Sequence, residues 1–265
     1  MQFIFNSSIP RSGSELLQCL ISQRKDVQAS STSPLLEYVY AASKNLACEE
    51  AMSLPEDVRR KSFYGFCREG MKGYAQESGA KKIWCDKSRG WIYYYPLLQK
   101  VLGHNPKMIC MVRDLREVAA SMEGLHRKNI EEGLIPDNNI ITTEERVRQW
   151  IGGEPIGRAL RRVKNALESH YEVLFVRYED LCTDPAGIMA KIETYCDLSH
   201  FKYDFDKIKK SVNENEKAFG YNGVHQVAQK IRPITPKSVE ILGPQITTEI
   251  YQSNLWYQTA FKYGA

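Results

Sequence analysis

The sequence has 265 residues, of which 43% are hydrophobic and 26% charged, and its formal net charge is +4. These values exclude a disordered chain, and the charge is too small to indicate nucleic-acid binding. No apolar run approaches membrane-spanning length, and no signal-like segment begins the sequence. Its seven cysteines are widely spaced, without a C-x-x-C pair. They predict free thiols in a reducing, cytoplasmic compartment and no metal site.

Short apolar runs alternate with longer amphipathic segments along the chain. The apolar runs predict strands at 2–6, 82–85, 107–112 and 173–176. Helices are predicted at 15–24, 35–46, 56–78, 91–102, 115–129, 143–170 (broken near Gly152, Gly153 and Pro155) and 185–196. This alternation predicts an α/β fold in three layers, with a central, mostly parallel sheet flanked by helices. The polar segment 199–236 predicts mobile lid or acceptor loops within one domain, 1–265.

The first predicted strand is followed by a tight turn of small residues, Pro10, Arg11, Ser12, Gly13 and Ser14. Such residues let backbone N–H groups approach an anion, and the positive end of the next helix points to the same place. A P-loop kinase has a lysine directly after the second glycine of its motif. Here Ser14 follows Gly13, so the turn predicts a phosphate site without that lysine.

Further polar residues lie at the ends of other predicted strands. Arg113 ends one strand and Ser121 lies two turns into the next helix, so both can reach one phosphate, although local pairing is equally compatible with the pattern. Tyr178 follows another predicted strand, where its phenol can contact a ligand or can simply be half-buried. Lys87 follows a further predicted strand, where its ammonium can contact a ligand or can simply be solvated. Parallel strands end at one edge, so these side chains are expected to form one site.

Taken in order, these motifs resemble those of the sulfotransferases that use 3′-phosphoadenosine 5′-phosphosulfate (PAPS). The family's P-R-S-G-T-T-L-L loop corresponds to residues 10–17, and its D-K-[ST] strand end to 86–88. Its arginine with a serine eight positions later, and its R-Y-E-D-L-x-x-D-P motif, correspond to 113–121 and 177–185. The resemblance implies a P-loop-like fold and transfer of a sulfuryl group to a hydroxyl or amine of a small-molecule, carbohydrate or peptide acceptor.

The resemblance also implies roles for these residues. Residues 10–14 would bind the 5′-phosphosulfate, while Arg113 and Ser121 would bind the 3′-phosphate and Tyr178 would lie beside the nucleotide. Lys87 would stabilise the charge that develops on the leaving phosphate, as positive groups do in phosphoryl transfer. Because lysine and arginine supply this charge, no metal is required.

The general base is the role that the motifs assign least clearly. Glu15 replaces the second threonine of the loop, and three arrangements stay open for it: it points away, pairs with Arg11, or acts on the acceptor. Glu37 lies in the first turn of the second predicted helix. That place is near the base of the glutamate-using branch, which includes the tyrosylprotein sulfotransferases, but a glutamate there also favours the helix dipole. Arg89 stands where a histidine base would follow Lys87.

The last third of the sequence matches the family loosely. Lys230 and Arg232 resemble a late basic loop that closes over the nucleotide, although a solvated loop is the default interpretation. Two basic groups, residues 59–61 and residues 161–162, favour an acidic acceptor, although charged helix faces are usually only solvated. Two other functions stay open: a divergent P-loop kinase or NTPase, and a nucleotide-binding protein that has lost catalysis, as Glu15 would suggest. The oligomeric state is not predicted.

Overall fold

The computed structural model describes residues 1–136, 141–210 and 222–264. Within these ranges, five parallel strands form one sheet in the order β2-β3-β1-β4-β5. The strands are β1 (Gln2–Asn6), β2 (Val27–Ala29), β3 (Ile83–Lys87), β4 (Lys107–Val112) and β5 (Val173–Arg177). The α/β fold with a parallel sheet is therefore confirmed.

Helices connect these strands and cover both faces of the sheet. The described residues contain α1 (Ser14–Ile21), α2 (Leu35–Lys44), α3 (Glu49–Met52), α4 (Glu56–Glu77), α5 (Tyr95–Leu102), α6 (Leu115–Glu131), α7 (Thr143–Gly152), α8 (Ile156–Glu168), α9 (Tyr178–Thr183), α10 (Pro185–Tyr195), α11 (Ser238–Leu242), α12 (Pro244–Ser253) and α13 (Leu255–Phe261). Short 3-10 turns precede α3 and α5, at Asn45–Ala47 and Trp91–Tyr94.

The predicted elements agree with most of these bounds, and the differences have simple causes. The missed strand β2 has only three residues and pairs with β3 alone, so it is too short to show a period. The predicted strand 82–85 extends to Lys87, because the polar Asp86 is buried and accepts hydrogen bonds from the indoles of Trp84 and Trp91. The helix predicted over 143–170 is interrupted as expected and forms α7 and α8.

Alternate residues of the central strands point to opposite faces of the sheet, as strand geometry requires. Phe3 and Phe5 of β1 join a core cluster that also contains Tyr257 and Phe261 of the C-terminal helix. Ile4, between them, belongs to the cluster on the other face, which packs against α1 and α10. Both faces are thus buried, as expected of a parallel sheet.

The predicted lid, 199–236, is described only in part, since residues 211–221 lie outside the described ranges. Two backbone hydrogen bonds join its described halves, from Ile208 N–H to the Gln229 carbonyl and from Ile231 N–H to the Phe205 carbonyl. Closure of this segment over a site stays a prediction. In the part of the chain that the structure describes, no helix has the length and apolar character to cross a membrane.

Candidate active site

The turn after β1 carries two residues with positive φ, Arg11 at 57° and Gly13 at 84°. Gly13 directly precedes α1, and a Cβ atom at this position would overlap the ring of Tyr178. Ser12 is buried, and its hydroxyl donates to the Ile9 carbonyl at 2.7 Å, which fixes the turn. At position 13, glycine is therefore required both for the backbone conformation and because there is no space for a side chain. Ser12 shapes the loop and does not line the cavity below.

Arg113, at the end of β4, reaches this turn. Its Nη1 donates to the Arg11 carbonyl at 3.1 Å, and its guanidinium lies 4.8 Å from the centre of the Tyr178 ring. Arg11 in turn donates through Nε to the Ser121 hydroxyl at 3.1 Å. The structure thus brings together four residues that the sequence predicts to bind one ligand, from four different elements or loops.

A buried hydrogen-bond donor of Arg113 has no partner. Its Nε atom is inaccessible to solvent and makes no hydrogen bond to any described residue. Glu117, one turn along α6, approaches Nη2 at 3.7 Å. A buried guanidinium with an unused donor is unfavourable unless an acceptor arrives, so this position is suited to an anion.

Lys87 and Glu15 form an ion pair at the floor of the site. Lys87 Nζ lies 2.5 Å from Glu15 Oε2, and the two side chains are only 10% and 7% exposed. The Ser31 hydroxyl donates to the other carboxylate oxygen of Glu15 at 2.6 Å. Three arrangements were open for Glu15 from the sequence. Two of them, pointing away along α1 and pairing with Arg11, do not occur in the structure. The sequence gives no sign of the ion pair with Lys87, because the partners lie far apart along the chain.

A cavity of about 1480 Å³ lies at the carboxyl edge of the sheet. Nearly all the predicted site residues line it, namely Pro10, Arg11, Gly13, Ser14, Glu15, Glu37, Lys87, Arg113, Ser121, Tyr178, Lys230 and Arg232. Lys230 is 53% exposed and forms an ion pair with Asp206 at 2.5 Å, and Glu37 is also exposed. The volume exceeds the roughly 300–1,000 Å³ of common ligand pockets, which leaves room for two ligands.

A family model described as "Sulfotransferase domain" matches residues 3–240. The chain belongs to the sulfotransferase family. Its reaction class is sulfuryl transfer, the donor that this family uses is PAPS, and a divergent kinase or NTPase is not favoured. The helices α12 and α13 lie beyond the matched residues.

Solved sulfotransferase structures share the fold of this sulfotransferase at low sequence identity. The sulfotransferase domain from the curacin biosynthetic pathway has a TM-score of 0.59 and 16% identity over 95% of this chain and 96% of its own. STF9 from Mycobacterium avium has a TM-score of 0.55 and 15% identity over 97% of this chain and 76% of its own. Mouse SULT7A1 complexed with 3′-phosphoadenosine 5′-phosphate (PAP) has a TM-score of 0.54 and 15% identity over 99% of this chain and 89% of its own. No curated protein sequence matches.

Burial controls the ionisation of the groups around the cavity of this sulfotransferase. It raises the pKa of Tyr178 to about 12, so the phenol stays neutral and can donate a hydrogen bond. Burial also raises the pKa of Asp86, whose carboxylate accepts from two indoles. In the ranges 1–136, 141–210 and 222–264, no group of three or more His, Cys, Asp or Glu side chains is arranged to hold a metal.

The cavity also contains residues that sequence reasoning did not assign to the site. Tyr40, Tyr94, Arg89 and Arg158 line it, together with Arg162, which the sequence linked only to acceptor charge. These residues come from α2, the β3–α5 connection and α8. They carry no shared motif, so only the fold reveals that they are neighbours.

Proposed function

We propose that this sulfotransferase binds PAPS in the half of the cavity lined by the turn after β1 (Pro10, Arg11, Gly13 and Ser14) and by Arg113, Ser121 and Tyr178. It transfers the sulfuryl group to a hydroxyl or amine of a small-molecule acceptor in the other half, and carbohydrate or peptide acceptors are the alternatives. The hydrogen bond from Arg113 to the Arg11 carbonyl carries this proposal. This hydrogen bond supports the presence of two anion sites at one cavity. A nucleotide with a phosphate at its 5′ position and another at its 3′ position requires such a pair of sites.

The donor half fits such a nucleotide in charge and in shape. The N–H groups of the first turn of α1 have no side-chain cap, and Ser14 lines the cavity, so this helix end can bind the 5′ anion. Arg113 and Ser121 would bind the 3′-phosphate, and the unused Nε of Arg113 supports this assignment. PAPS, when bound, supplies an activated sulfuryl group whose departure leaves negative charge on a phosphate.

We assign Lys87 to the stabilisation of that charge and Glu37 to the acceptance of the acceptor's proton. Glu15 holds the Lys87 ammonium in the cavity through their ion pair. A carboxylate that already accepts from a lysine and from Ser31 has little capacity left to act as a base. Glu37 lines the cavity from α2 and is exposed to it, which supports it as the base.

The cysteines support a reducing compartment for this reaction. Each of the seven is free, and Cys85 is fully buried, with its pKa raised well above the usual value by burial. A buried thiol with a raised pKa is inert toward oxidation and disulfide exchange. We therefore propose a cytoplasmic location, as the cysteine spacing predicts.

Ligand-dependent stability tests the two-anion site. We expect PAP at a hundredfold excess over its dissociation constant to raise the free energy of unfolding by about 2.7 kcal/mol. AMP, which lacks the 3′-phosphate, should produce a much smaller rise at the same concentration, because Arg113 and Ser121 gain nothing from it. Thermal and urea unfolding with each ligand give the comparison. Equal stabilisation by AMP and PAP would overturn the assignment of Arg113.

Replacing Lys87 separates transfer from donor binding. We expect Lys87→Ala to lower kcat for transfer of labelled sulfate by roughly a hundredfold to a thousandfold, as loss of one charge-stabilising donor does. The dissociation constant of PAP should rise by a smaller factor than kcat falls, because the anion sites at both ends remain although Glu15 loses its cationic partner. Lys82→Ala, which removes an exposed lysine just before the opposite end of β3, is the matched control. Unchanged turnover in Lys87→Ala would exclude the proposed role of Lys87, whereas PAP binding without any transfer by the unsubstituted chain would favour a protein that has lost catalysis.

A further inference from the structure

Three arginines line the cavity in addition to the residues assigned to the donor. Arg89 follows β3, whereas Arg158 and Arg162 lie one turn apart on α8. Arg162 Nη1 donates to the Arg89 carbonyl at 3.0 Å, so this bond joins the two parts of the wall. We call these three residues the arginine wall.

The charge of the arginine wall is only partly balanced. Arg158 forms an ion pair with Glu154. For Arg89 and Arg162, by contrast, no carboxylate among the described residues lies within 4.0 Å of the guanidinium. Arg89 and Arg158 are exposed and Arg162 is half-buried. Partial burial together with repulsion from Arg158 and Arg89 lowers the pKa of Arg162, so the like charges of this wall repel one another and an anion between them would relieve that repulsion.

An aromatic surface connects the arginine wall to the proposed base. The rings of Tyr40 and Tyr94 have centroids 5.8 Å apart, and both line the cavity. Arg162 and Glu37 line the same cavity, and both act electrostatically on the Tyr94 hydroxyl. A ligand body that packs on the tyrosines therefore has a cationic group and a carboxylate in its surroundings.

The distance from this wall to the transfer site is short. Lys87 and Arg89 are two residues apart, so their Cα atoms lie within about 7 Å of each other. Both residues also line the one cavity, so one acceptor can contact both. The cavity has room for it beside the donor.

We propose that the acceptor of this sulfotransferase is a small molecule that carries an anionic group, a carboxylate or a phosphate. Arg89 and Arg162 bind this group, and the acceptor hydroxyl lies near Lys87 and Glu37. The inference rests on the proposed function, because it names the acceptor of that reaction. The binding of an anion by the arginine wall can nevertheless be measured without transfer.

Direct binding of matched phenols tests this proposal. The probes are 4-hydroxyphenylacetate, 4-hydroxyphenyl phosphate and the neutral 2-(4-hydroxyphenyl)ethanol, titrated calorimetrically into the full chain with and without PAP. We expect a charged probe to bind roughly tenfold to a hundredfold more tightly than the neutral one, as charge-assisted hydrogen bonds do. The two charged probes show whether the site prefers a carboxylate or a phosphate.

Substitutions in the wall locate the binding site of the charged probe. We expect Arg89→Gln and Arg162→Gln each to remove most of the advantage of the charged probe and to leave the neutral probe unaffected. Arg161→Gln is the matched control, because Arg161 is exposed and its guanidinium donates to the Gly152 carbonyl. Thermal unfolding of each variant establishes that it is folded, and if a variant is not, the comparison of probes on the unsubstituted chain decides.

The outcomes separate this inference from the proposed function. Equal binding of charged and neutral probes, or an equal loss in Arg161→Gln, would overturn the inference even if PAP binds and sulfate is transferred. A second outcome is that binding of the charged probe depends on Arg89 and Arg162, but PAP does not bind and no phenol is sulfated. In that case the proposed function fails, and the arginine wall remains an anion site. Higher kcat/KM for the charged phenols than for the neutral phenol supports both.

Discussion

Gly13 illustrates how one position combines a backbone and a packing requirement. Its φ of 84° lies in the left-handed region, and the space where a side chain would begin is taken by the Tyr178 ring. The ring also lies under the Arg113 guanidinium, 4.8 Å away. A change at Gly13 therefore moves the two residues that we assign to the donor, as well as the turn itself.

Replacing Gly13 tests this coupling at the residue scale. We expect Gly13→Ala to lower the free energy of unfolding by about 2–4 kcal/mol, from backbone strain and overpacking together, and to abolish measurable PAP binding. Gly103→Ala is the matched control, because Gly103 has a similar φ of 79° with nothing within 4 Å of an added Cβ. It should lose only about 1–2 kcal/mol and bind PAP normally. Equal losses in both variants would mean that contact with Tyr178 is unimportant.

At the scale of elements, a buried carboxylate joins α6 to α7. Glu123 is fully buried and accepts hydrogen bonds from Arg146 Nη2 at 2.7 Å and the Thr143 hydroxyl at 2.9 Å, both on α7. Arg127, on its own helix, donates at 2.9 Å. Burial by itself would raise the pKa of Glu123, but the hydrogen bonds from Arg146 and Arg127 outweigh it, so the pKa lies below the usual 4.5.

The depressed pKa gives Glu123 a defined pH dependence. A carboxyl whose pKa is lower in the folded state stabilises the fold above its unfolded pKa of about 4.5, and this contribution is lost as the pH falls through the folded value. We expect Glu123→Gln to lower the free energy of unfolding by about 3 kcal/mol at pH 7. The difference should shrink as the pH falls below 4.5. Urea unfolding between pH 7 and 3 measures it, and a difference independent of pH would contradict the account.

At the scale of the whole molecule, the C-terminal helix α13 contacts the backbone of the proposed donor site. The Tyr257 hydroxyl donates to the Arg113 carbonyl at 3.0 Å and accepts from the Arg113 N–H at 3.3 Å. Tyr257 is fully buried and belongs with Phe261 and Tyr263 to the core, whereas Trp256 is only partly buried. Tyr257 lies outside the residues that the family model matches, 3–240, whereas its partner Arg113 lies within them.

Removing one hydroxyl tests this support. We expect Tyr257→Phe to lower the free energy of unfolding by about 1–2 kcal/mol and to weaken PAP binding severalfold, because the backbone of Arg113 loses both hydrogen bonds. At saturating donor, kcat should be nearly unchanged, since Tyr257 contacts no substrate in our proposal. Tyr251→Phe on α12, whose ring lies over Arg116, is the control. PAP affinity equal to that of the unsubstituted chain would show that Arg113 holds its place without α13.

The sequence by itself determined the α/β fold, the family and the residues at the strand ends, because each depends on local signals. Apolar runs predicted four of the five strands, and the turn with Gly13 predicted an anion site from glycine and helix geometry alone. The short strand β2 carried too few residues for such a signal. Local patterns also could not reveal the Glu15–Lys87 ion pair, the bond from Tyr257 to Arg113, or the arginine wall. Those contacts join residues far apart in the chain, so only tertiary packing, which desolvates these groups and sets their partners, decided them.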